Sequence, residues 1–146
     1  MSGAVPFEFV EGATSDLSFV ARGESCEAAL AAAAEALLAA TVEDPAGVEP
    51  REVRRVTLVA PDLDLLLLRF LNELVYLRDA ERLLLRARSL RVTQDGGQAR
   101  LEAELVGEPW RAGHHVAAGE VKAATAHGLA LQRVGAGWEA RATLDV

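Results

Sequence analysis

The clearest pattern in the chain is an amphipathic one between Asp62 and Asp79. Apolar residues recur there at steps of three and four, which is the spacing of one face of an α-helix. Pro61 ends the preceding extended run, and Asp62 can accept hydrogen bonds from the free N–H groups of the first turn. The pattern predicts a helix with one buried stripe, formed by Leu67, Phe70, Leu71, Leu74 and Val75.

The first turns of this helix are apolar all round, because Leu65 to Leu68 leave no polar side. Other elements or a partner must therefore cover that end. The opposite face carries a polar row, which is either solvated or hydrogen-bonded to loops or to another protein. The row consists of Arg69, Asn72, Glu73 and Tyr76.

Two short segments rich in Phe and Val precede the first helix. Phe7 to Val10 and Leu17 to Ala21 have the composition of strands, and Gly12 to Asp16 has that of a turn. Ser25 is a suitable N-cap for the helix that follows. The buried face of that helix is predicted to contain Cys26, Leu30, Ala33 and Leu37.

Strand patterns dominate the rest of the chain. The side chains of residues 55–60 alternate between the two faces of a predicted strand ahead of the central helix. After that helix, Asp95-Gly96 suits the positive φ angles of a tight hairpin. The return strand alternates clearly from Ala99 to Leu105, as in a sheet with one solvated face. The remaining predictions are a loop over 107–119 and a last hairpin of 121–132 with 138–146 around Gly135 to Gly137.

The order strand, strand, helix, strand, helix and then several strands predicts the α+β class. Two main helices are expected to pack on a mixed, mostly antiparallel β-sheet. The chain has 146 residues, 51% of them hydrophobic, which suits a single domain over 1–146. Two domains of half this length would each be marginal.

Charge and cysteine content narrow the function classes. Lys and Arg number 15 against 22 Asp and Glu, and the net charge of −7 repels a phosphate backbone, so RNA contact is expected to be indirect. Cys26 is the only cysteine, which rules out an internal disulfide and fits a reducing compartment. Glu8 and Glu11 stand where a secretory signal would be basic, and no apolar run has membrane-spanning length. A cytoplasmic protein without membrane contact is expected.

Familiar catalytic motifs are missing from the sequence. It contains no Walker loop, dinucleotide fingerprint or GxSxG elbow, which excludes nucleotide binding and covalent hydrolysis by those devices. His114 and His115 are adjacent in a predicted loop, where solvated side chains are expected because metal ligation needs a third ligand. His127 is predicted to be half-buried with its hydrogen bonds satisfied.

Carboxylates at strand ends carry more information. Asp16 stands at the entrance of the second strand, and Asp145 is the penultimate residue. Counting back across the final turn brings Asp145 near Lys122 at the open end of one hairpin, with the register uncertain by a residue or two. From the residues alone, Asp145 and Lys122 are either a surface ion pair or part of a site.

Several short motifs in a fixed order cover nearly the whole chain. They are Thr14-Ser15-Asp16, Asp62-Leu63-Asp64, the run from Leu71 to Leu77, Gly107-Glu108, His115, Glu120-Val121-Lys122-Ala123 with Thr125 and His127, and Leu144-Asp145-Val146. In this order and spacing the chain resembles the archease family, small proteins that assist the GTP-dependent tRNA-splicing RNA ligase of the RtcB type. The resemblance implies an α+β fold and a non-enzymatic role in ligase guanylylation and multiple turnover.

The resemblance also implies site residues. In archeases the aspartate of the N-terminal turn and the one at the C-terminus bind a divalent metal, and the lysine of the EVKA segment is needed for activation. These correspond to Asp16, Asp145 and Lys122, with Ca²⁺ or Mg²⁺ expected because both prefer oxygen ligands. The chain departs from the family where Gly12-Ala13 replaces the usual acidic-histidine pair, which implies weak metal binding, and where Arg111 replaces an acidic residue.

Three functions are compatible with these observations. The first is activation of the RNA ligase through a metal-linked acidic tip. The second is metal-dependent hydrolysis of a small phosphorylated compound, with Asp16 and Asp145 holding the ion and His115 or His127 as base. The third is a chaperone-like adaptor that uses the leucine-rich start of the central helix. Candidate contacts to a partner are Arg69, Asn72, Glu73, Tyr76, Glu108, His115 and Glu120.

Overall fold

The computed structural model describes residues 6–10 and 16–146, which form seven strands, two α-helices and a short 3-10 turn at Pro45–Gly47. The predicted turn at Gly12 to Ser15 lies outside the described residues. None of the described helices has the length and apolar character needed to cross a membrane. In chain order the elements are β1 (Phe7–Val10), β2 (Asp16–Gly23), α1 (Cys26–Thr41), β3 (Glu52–Ala60), α2 (Leu63–Glu81), β4 (Leu83–Asp95), β5 (Gln98–Pro109), β6 (Ala123–Val134) and β7 (Gly137–Asp145).

The described strands form two sheets, with strand orders β1-β2-β7-β6 and β3-β5-β4. All of their pairings are antiparallel, whereas the sequence led us to expect one mixed sheet. The crossover through α2 does make β3 and β4 run in the same direction, but β5 lies between them and pairs with both. Both helices contact strands of both sheets and share one hydrophobic core with them. The predicted α+β class with two main packed helices is confirmed.

Both helices begin at the predicted caps. The Asp62 carboxylate accepts a hydrogen bond from the Leu65 N–H at 2.9 Å, and the Ser25 hydroxyl accepts one from the Ala28 N–H at 3.0 Å. The leucines at 65–68 pack into the core, so the chain's own elements cover the apolar first turns of α2. That helix ends at a residue in the left-handed conformation, Arg82, with φ of 59°.

The two predicted hairpins are confirmed as β4–β5 and β6–β7. In the first of them the positive φ angles belong to Gly96 and Gly97, at 58° and 79°, one position later than expected. Asp95 instead ends β4. The alternation of the flanking strands therefore located the hairpin, and the glycines themselves set its turn.

The predicted loop over 107–119 is wrong at its start, because β5 continues to Pro109 and includes Gly107 and Glu108. At Gly107 a side chain would lie 1.7 Å from the carbonyl oxygen of Leu84. Only glycine at this position allows β4 to approach β5 this closely. Strand β5 continues past Gly107, and Glu108 on it is completely buried.

Candidate functional site

Two aspartates meet at one end of the four-stranded sheet. Asp16 is the first residue of β2 and Asp145 the last residue of β7, and the antiparallel register places them directly opposite each other. Side chains opposed in this way project to the same face with Cβ atoms about 4.5–5.5 Å apart, a position where like charges repel. The fold thus builds a pair of close carboxylates at this sheet end.

The paired aspartates point away from the hydrophobic core. Their neighbours Leu17 and Leu144 pack in that core. Successive side chains of a strand alternate between the two faces, so Asp16 and Asp145 lie on the outer face. Both are partly buried there.

A bulge in β6 covers the outer face next to this pair. The register of β6 on β7 shifts between Thr125 and Ala130. The Thr143 hydroxyl donates to the carbonyl oxygen of His127 at 2.9 Å and therefore accepts from the Ser18 hydroxyl, at 2.8 Å. The prediction that His127 is half-buried is wrong: its side chain is exposed, and the bulge interrupts the pairing of this part of β6 with β7.

Lys122 stands beside the aspartates. Its backbone N–H donates to the carbonyl oxygen of Asp145 at 2.7 Å, and its side chain is exposed. The side-chain ion pair with Asp145 considered above is not formed, and Lys122 has no ion pair within residues 6–10 and 16–146. Since it is the only lysine of the chain, it supplies the one side-chain amine of the protein.

Helix α2 holds the residues on both sides of Lys122. The side-chain amide of Asn72 accepts from the Ala124 N–H at 2.9 Å and donates to the Ala124 carbonyl at 3.1 Å. The guanidinium of Arg78 donates to the carbonyl oxygen of Val121. The backbone on both sides of Lys122 is therefore anchored, while the ammonium group of Lys122 stays in solvent.

The other predicted partner contacts differ in exposure. Arg69 donates to the carbonyl oxygen of Val59, so it is used within the chain, as is Asn72. Glu73 is half-buried, whereas Tyr76 is 60% exposed and Glu120 is exposed. Tyr76 and Glu120 are thus the members of this set most open to a partner.

The donor set at the sheet end fits a hard divalent cation. Two carboxylates on one face can share an ion such as Ca²⁺ or Mg²⁺, with water completing its coordination shell, whereas Zn²⁺ sites favour nitrogen and sulfur ligands. Asp16 and Asp145 are the described residues that would hold it. Gly12-Ala13, where the family's acidic-histidine pair is usual, lies outside the described residues.

A second cluster lies at the end of β5. The ligand atoms of Glu108, His114 and His115 lie within 4.8 Å of one another, which makes them a candidate metal site among the described residues. The completely buried carboxylate of Glu108 accepts a hydrogen bond from the Glu49 N–H at 3.1 Å and contacts His115 Nε2 at 3.0 Å. Its ion-pair partners are Arg51 at 3.3 Å and Arg111 at 3.4 Å.

Hydrogen bonding argues against a metal in this cluster. His115 Nδ1 accepts from the Arg111 N–H at 2.9 Å, so the ring proton is assigned to Nε2, which donates to Glu108. A cation on Nε2 would force that proton onto Nδ1, against the Arg111 N–H, and the arginines beside Glu108 would repel it. His115 is buried and fully bonded, so the predictions of a solvated side chain and of a free base at this position are wrong.

The charge of Glu108 is stabilised within this network. Burial raises the pKa of its carboxyl, but hydrogen bonds from the Glu49 N–H and from His115, together with the charge of Arg111, outweigh burial and hold the pKa below the ordinary value of 4.5. The carboxylate is therefore ionised at neutral pH. The cluster is a closed structural cross-link between β5 and the segments before and after it.

The fold and the opposed aspartates define a small α+β protein whose sheet end suits a divalent cation. The Archease protein family (MTH1598/TM1083) matches residues 7–146. The protein archease of Methanosarcina mazei is 30% identical over 141 residues, covering 96% of this chain and 95% of that protein. The protein archease of Pyrobaculum neutrophilum is 34% identical over 135 residues, covering 91% and 90%. This chain belongs to the archease family.

Solved structures agree with this assignment. The solution structure of Methanobacterium thermoautotrophicum protein 1598 matches with a TM-score of 0.85 at 29% identity, covering 98% of this chain and 100% of that one. A crystal structure from Thermotoga maritima, described as an archease and possible chaperone, matches with a TM-score of 0.55 at 18% identity, covering 91% and 92%. The second likeness, at that identity, supports the fold alone.

Proposed function

We propose that this chain is a non-enzymatic activator of a GTP-dependent tRNA-splicing RNA ligase of the RtcB type. It docks on the ligase, promotes formation of the covalent ligase–GMP intermediate and so allows multiple turnover. Membership of the archease family supports this role. The structural observation that carries it is the direct opposition of Asp16 and Asp145 on the outer face of the sheet, beside the exposed Lys122. We call these three residues the acidic tip.

The acidic tip needs a positive partner because its two carboxylates repel each other. A Ca²⁺ or Mg²⁺ ion held by Asp16 and Asp145 removes that repulsion and offers further coordination positions to oxygen ligands of the complex. Lys122, anchored by its backbone, presents an ammonium group for a carboxylate or phosphate of the ligase–nucleotide complex.

Other properties fit an accessory protein. The net charge of −7 makes RNA contact indirect, through the ligase. Cys26 is no nucleophile, because burial and the neighbouring charge of Glu27 raise the pKa of its thiol to about 11. The proposal treats residues 1–146 as one domain, because both sheets and both helices share one core. In this proposal the domain acts with the ligase in the cytoplasm, without membrane contact.

Transfer of radiolabelled GMP to the purified ligase, with and without this protein, tests the proposal. Wild-type protein is expected to increase ligase–GMP and the number of turnovers. Asp145→Asn should abolish the increase without lowering the melting temperature, because its side chain lies outside the core. Asp95→Asn, at the exposed tip of the β4–β5 hairpin, is the matched control and should stimulate fully. Stimulation by a folded Asp145→Asn equal to that of wild type would refute the role of the tip.

A further inference from the structure

A pair of hydroxyl groups lies next to the two aspartates of the acidic tip. Ser18 and Thr143 are directly opposite each other on β2 and β7, two residues further from the end of the sheet than Asp16 and Asp145. Side chains two residues apart on a strand project to the same face, so this hydroxyl pair shares the outer face with the carboxylates. The two hydroxyl oxygens are 2.8 Å apart. The outer face therefore presents oxygen atoms from two successive rows of the sheet.

The hydrogen bonds of this pair run in one direction. Thr143 is buried, and its hydroxyl lies 2.9 Å from the carbonyl oxygen of His127, which can only accept. The Thr143 proton is therefore assigned to the bond with His127, and the bond between the two hydroxyls is donated by Ser18. With its one proton directed to Thr143, the half-buried Ser18 oxygen has only lone pairs left. It can then accept a further hydrogen bond but cannot donate one.

Acceptor oxygens thus gather at this end of the sheet. Within residues 6–10 and 16–146, the bond to Thr143 is the only side-chain hydrogen bond of Ser18. Over the same residues, the carboxylates of Asp16 and Asp145 take part in no side-chain hydrogen bond or ion pair. Two carboxylates beside an acceptor-only hydroxyl suit a cation together with the water molecules that it binds, because such water donates hydrogen bonds outward.

We infer that Ser18 is a positioning residue for the divalent cation of the acidic tip, and that its hydroxyl oxygen accepts a hydrogen bond from a water molecule bound to that ion. The inference rests on the proposed function and adds a polar residue to the aspartate pair. Successive rows on one face of an antiparallel sheet are about 6.8 Å apart, whereas Ca²⁺ binds oxygen at about 2.3–2.6 Å. Contact through a bound water fits this spacing better than direct ligation by Ser18.

A Ca²⁺ titration followed by the backbone amide NMR signals of Asp16 and Asp145 tests this role without the ligase. Ser18→Ala removes the hydroxyl oxygen and should weaken Ca²⁺ binding about 10-fold, the effect typical of residues that orient the ligands of a metal. Its melting temperature without Ca²⁺ should stay within about 2 °C of wild type, because the bond from Thr143 to His127 is kept. Ser18→Thr keeps a hydroxyl and should bind Ca²⁺ with an affinity close to that of wild type.

Two further variants complete the experiment. Thr143→Val leaves the Ser18 proton without its acceptor, so Ca²⁺ binding should weaken although Ser18 is still present. Ser89→Ala, at an exposed position of β4, is the matched control and should bind Ca²⁺ like wild type. If wild type binds Ca²⁺ at Asp16 and Asp145 and Ser18→Ala binds it equally well, the inference is overturned and the proposed function stands. If wild type binds no Ca²⁺ there, the inference is also overturned, and stimulation of ligase guanylylation decides the proposed function separately.

Discussion

Replacing Glu108 by alanine tests whether the buried cluster at the end of β5 is structural. The change leaves the Nε2–H of buried His115 and the half-buried Glu49 N–H without an acceptor. A buried donor without a partner costs about 1–3 kcal/mol, with His115 near the top of that range and Glu49 near the bottom. The side chains of Arg51 and Arg111 are 57% and 50% exposed, so water solvates their charged guanidinium groups when Glu108 is removed. The expected loss in free energy of unfolding is therefore about 4 kcal/mol.

Urea unfolding followed by circular dichroism measures this loss, and the melting temperature should fall by roughly 8–16 °C for a chain of this size. Glu102→Ala is the matched control, because Glu102 lies on the same strand but is exposed, and its stability should stay within about 0.5 kcal/mol of wild type. A Glu108→Ala protein within about 1 kcal/mol of wild type would refute the structural role. So would a Zn²⁺-dependent rise in the wild-type melting temperature that Glu108→Ala abolishes, since that result would reveal a metal site.

The pKa of Glu108 gives this prediction a pH dependence. The folded-state pKa lies below the ordinary value of 4.5, so the unfolded chain binds more protons near that pH. The stabilising contribution is complete above the unfolded pKa and is lost as the pH falls through the folded pKa. Wild type should lose stability below about pH 4.5, and Glu108→Gln should lose less over the same range. Glu104, whose pKa is lowered by a hydrogen bond from Arg88, contributes equally to both proteins.

Three further predictions concern the tip and its anchors. Lys122→Gln should keep the melting temperature but lose stimulation of the ligase, and unchanged stimulation by this variant would contradict the role of Lys122. An amine-reactive cross-linker should join the wild-type protein to the ligase at Lys122. Titration calorimetry should show weak Ca²⁺ or Mg²⁺ binding in preference to Zn²⁺, lost in Asp16→Asn; binding indifferent to Asp16 would place the site elsewhere. Asn72→Ala should lower stability by about 1–3 kcal/mol and speed hydrogen exchange at Ala124, and unaltered exchange there would be inconsistent with the anchor.

Features set by local chemistry could be predicted from the sequence. The helix starts at Asp62 and Ser25 follow from side chains that accept hydrogen bonds within their own first turn. The hairpins follow from alternation around glycine-containing turns. The division into two sheets could not be predicted, because it depends on β5 lying between β3 and β4, a long-range choice that no local pattern contains.

The candidate site also combines features that local sequence indicates with features that depend on long-range pairing. The family resemblance indicates Asp16 and Asp145, but their direct opposition depends on the register of β2 on β7. A slip of one residue would turn Asp145 toward the core. Glu108 is named above as a candidate partner contact, but it is completely buried, whereas carboxylates are usually exposed. A local signal was present nevertheless, since the apolar pair Leu105-Val106 interrupts the alternation of β5 at the point where both of its faces become covered.

The polar side chains of α2 show why a polar face alone does not separate partner contacts from internal anchors. Strand β6 lies at a sheet edge, where unpaired backbone groups would be open to another strand. Asp64 accepts from the Leu131 N–H at 2.8 Å, and Asn72 binds both backbone groups of Ala124, so α2 occupies this edge on either side of the bulge. Together with Arg78, Asn72 holds the residues on either side of Lys122, so the position of Lys122 beside Asp145 depends on helix residues whose pattern is equally typical of a docking surface.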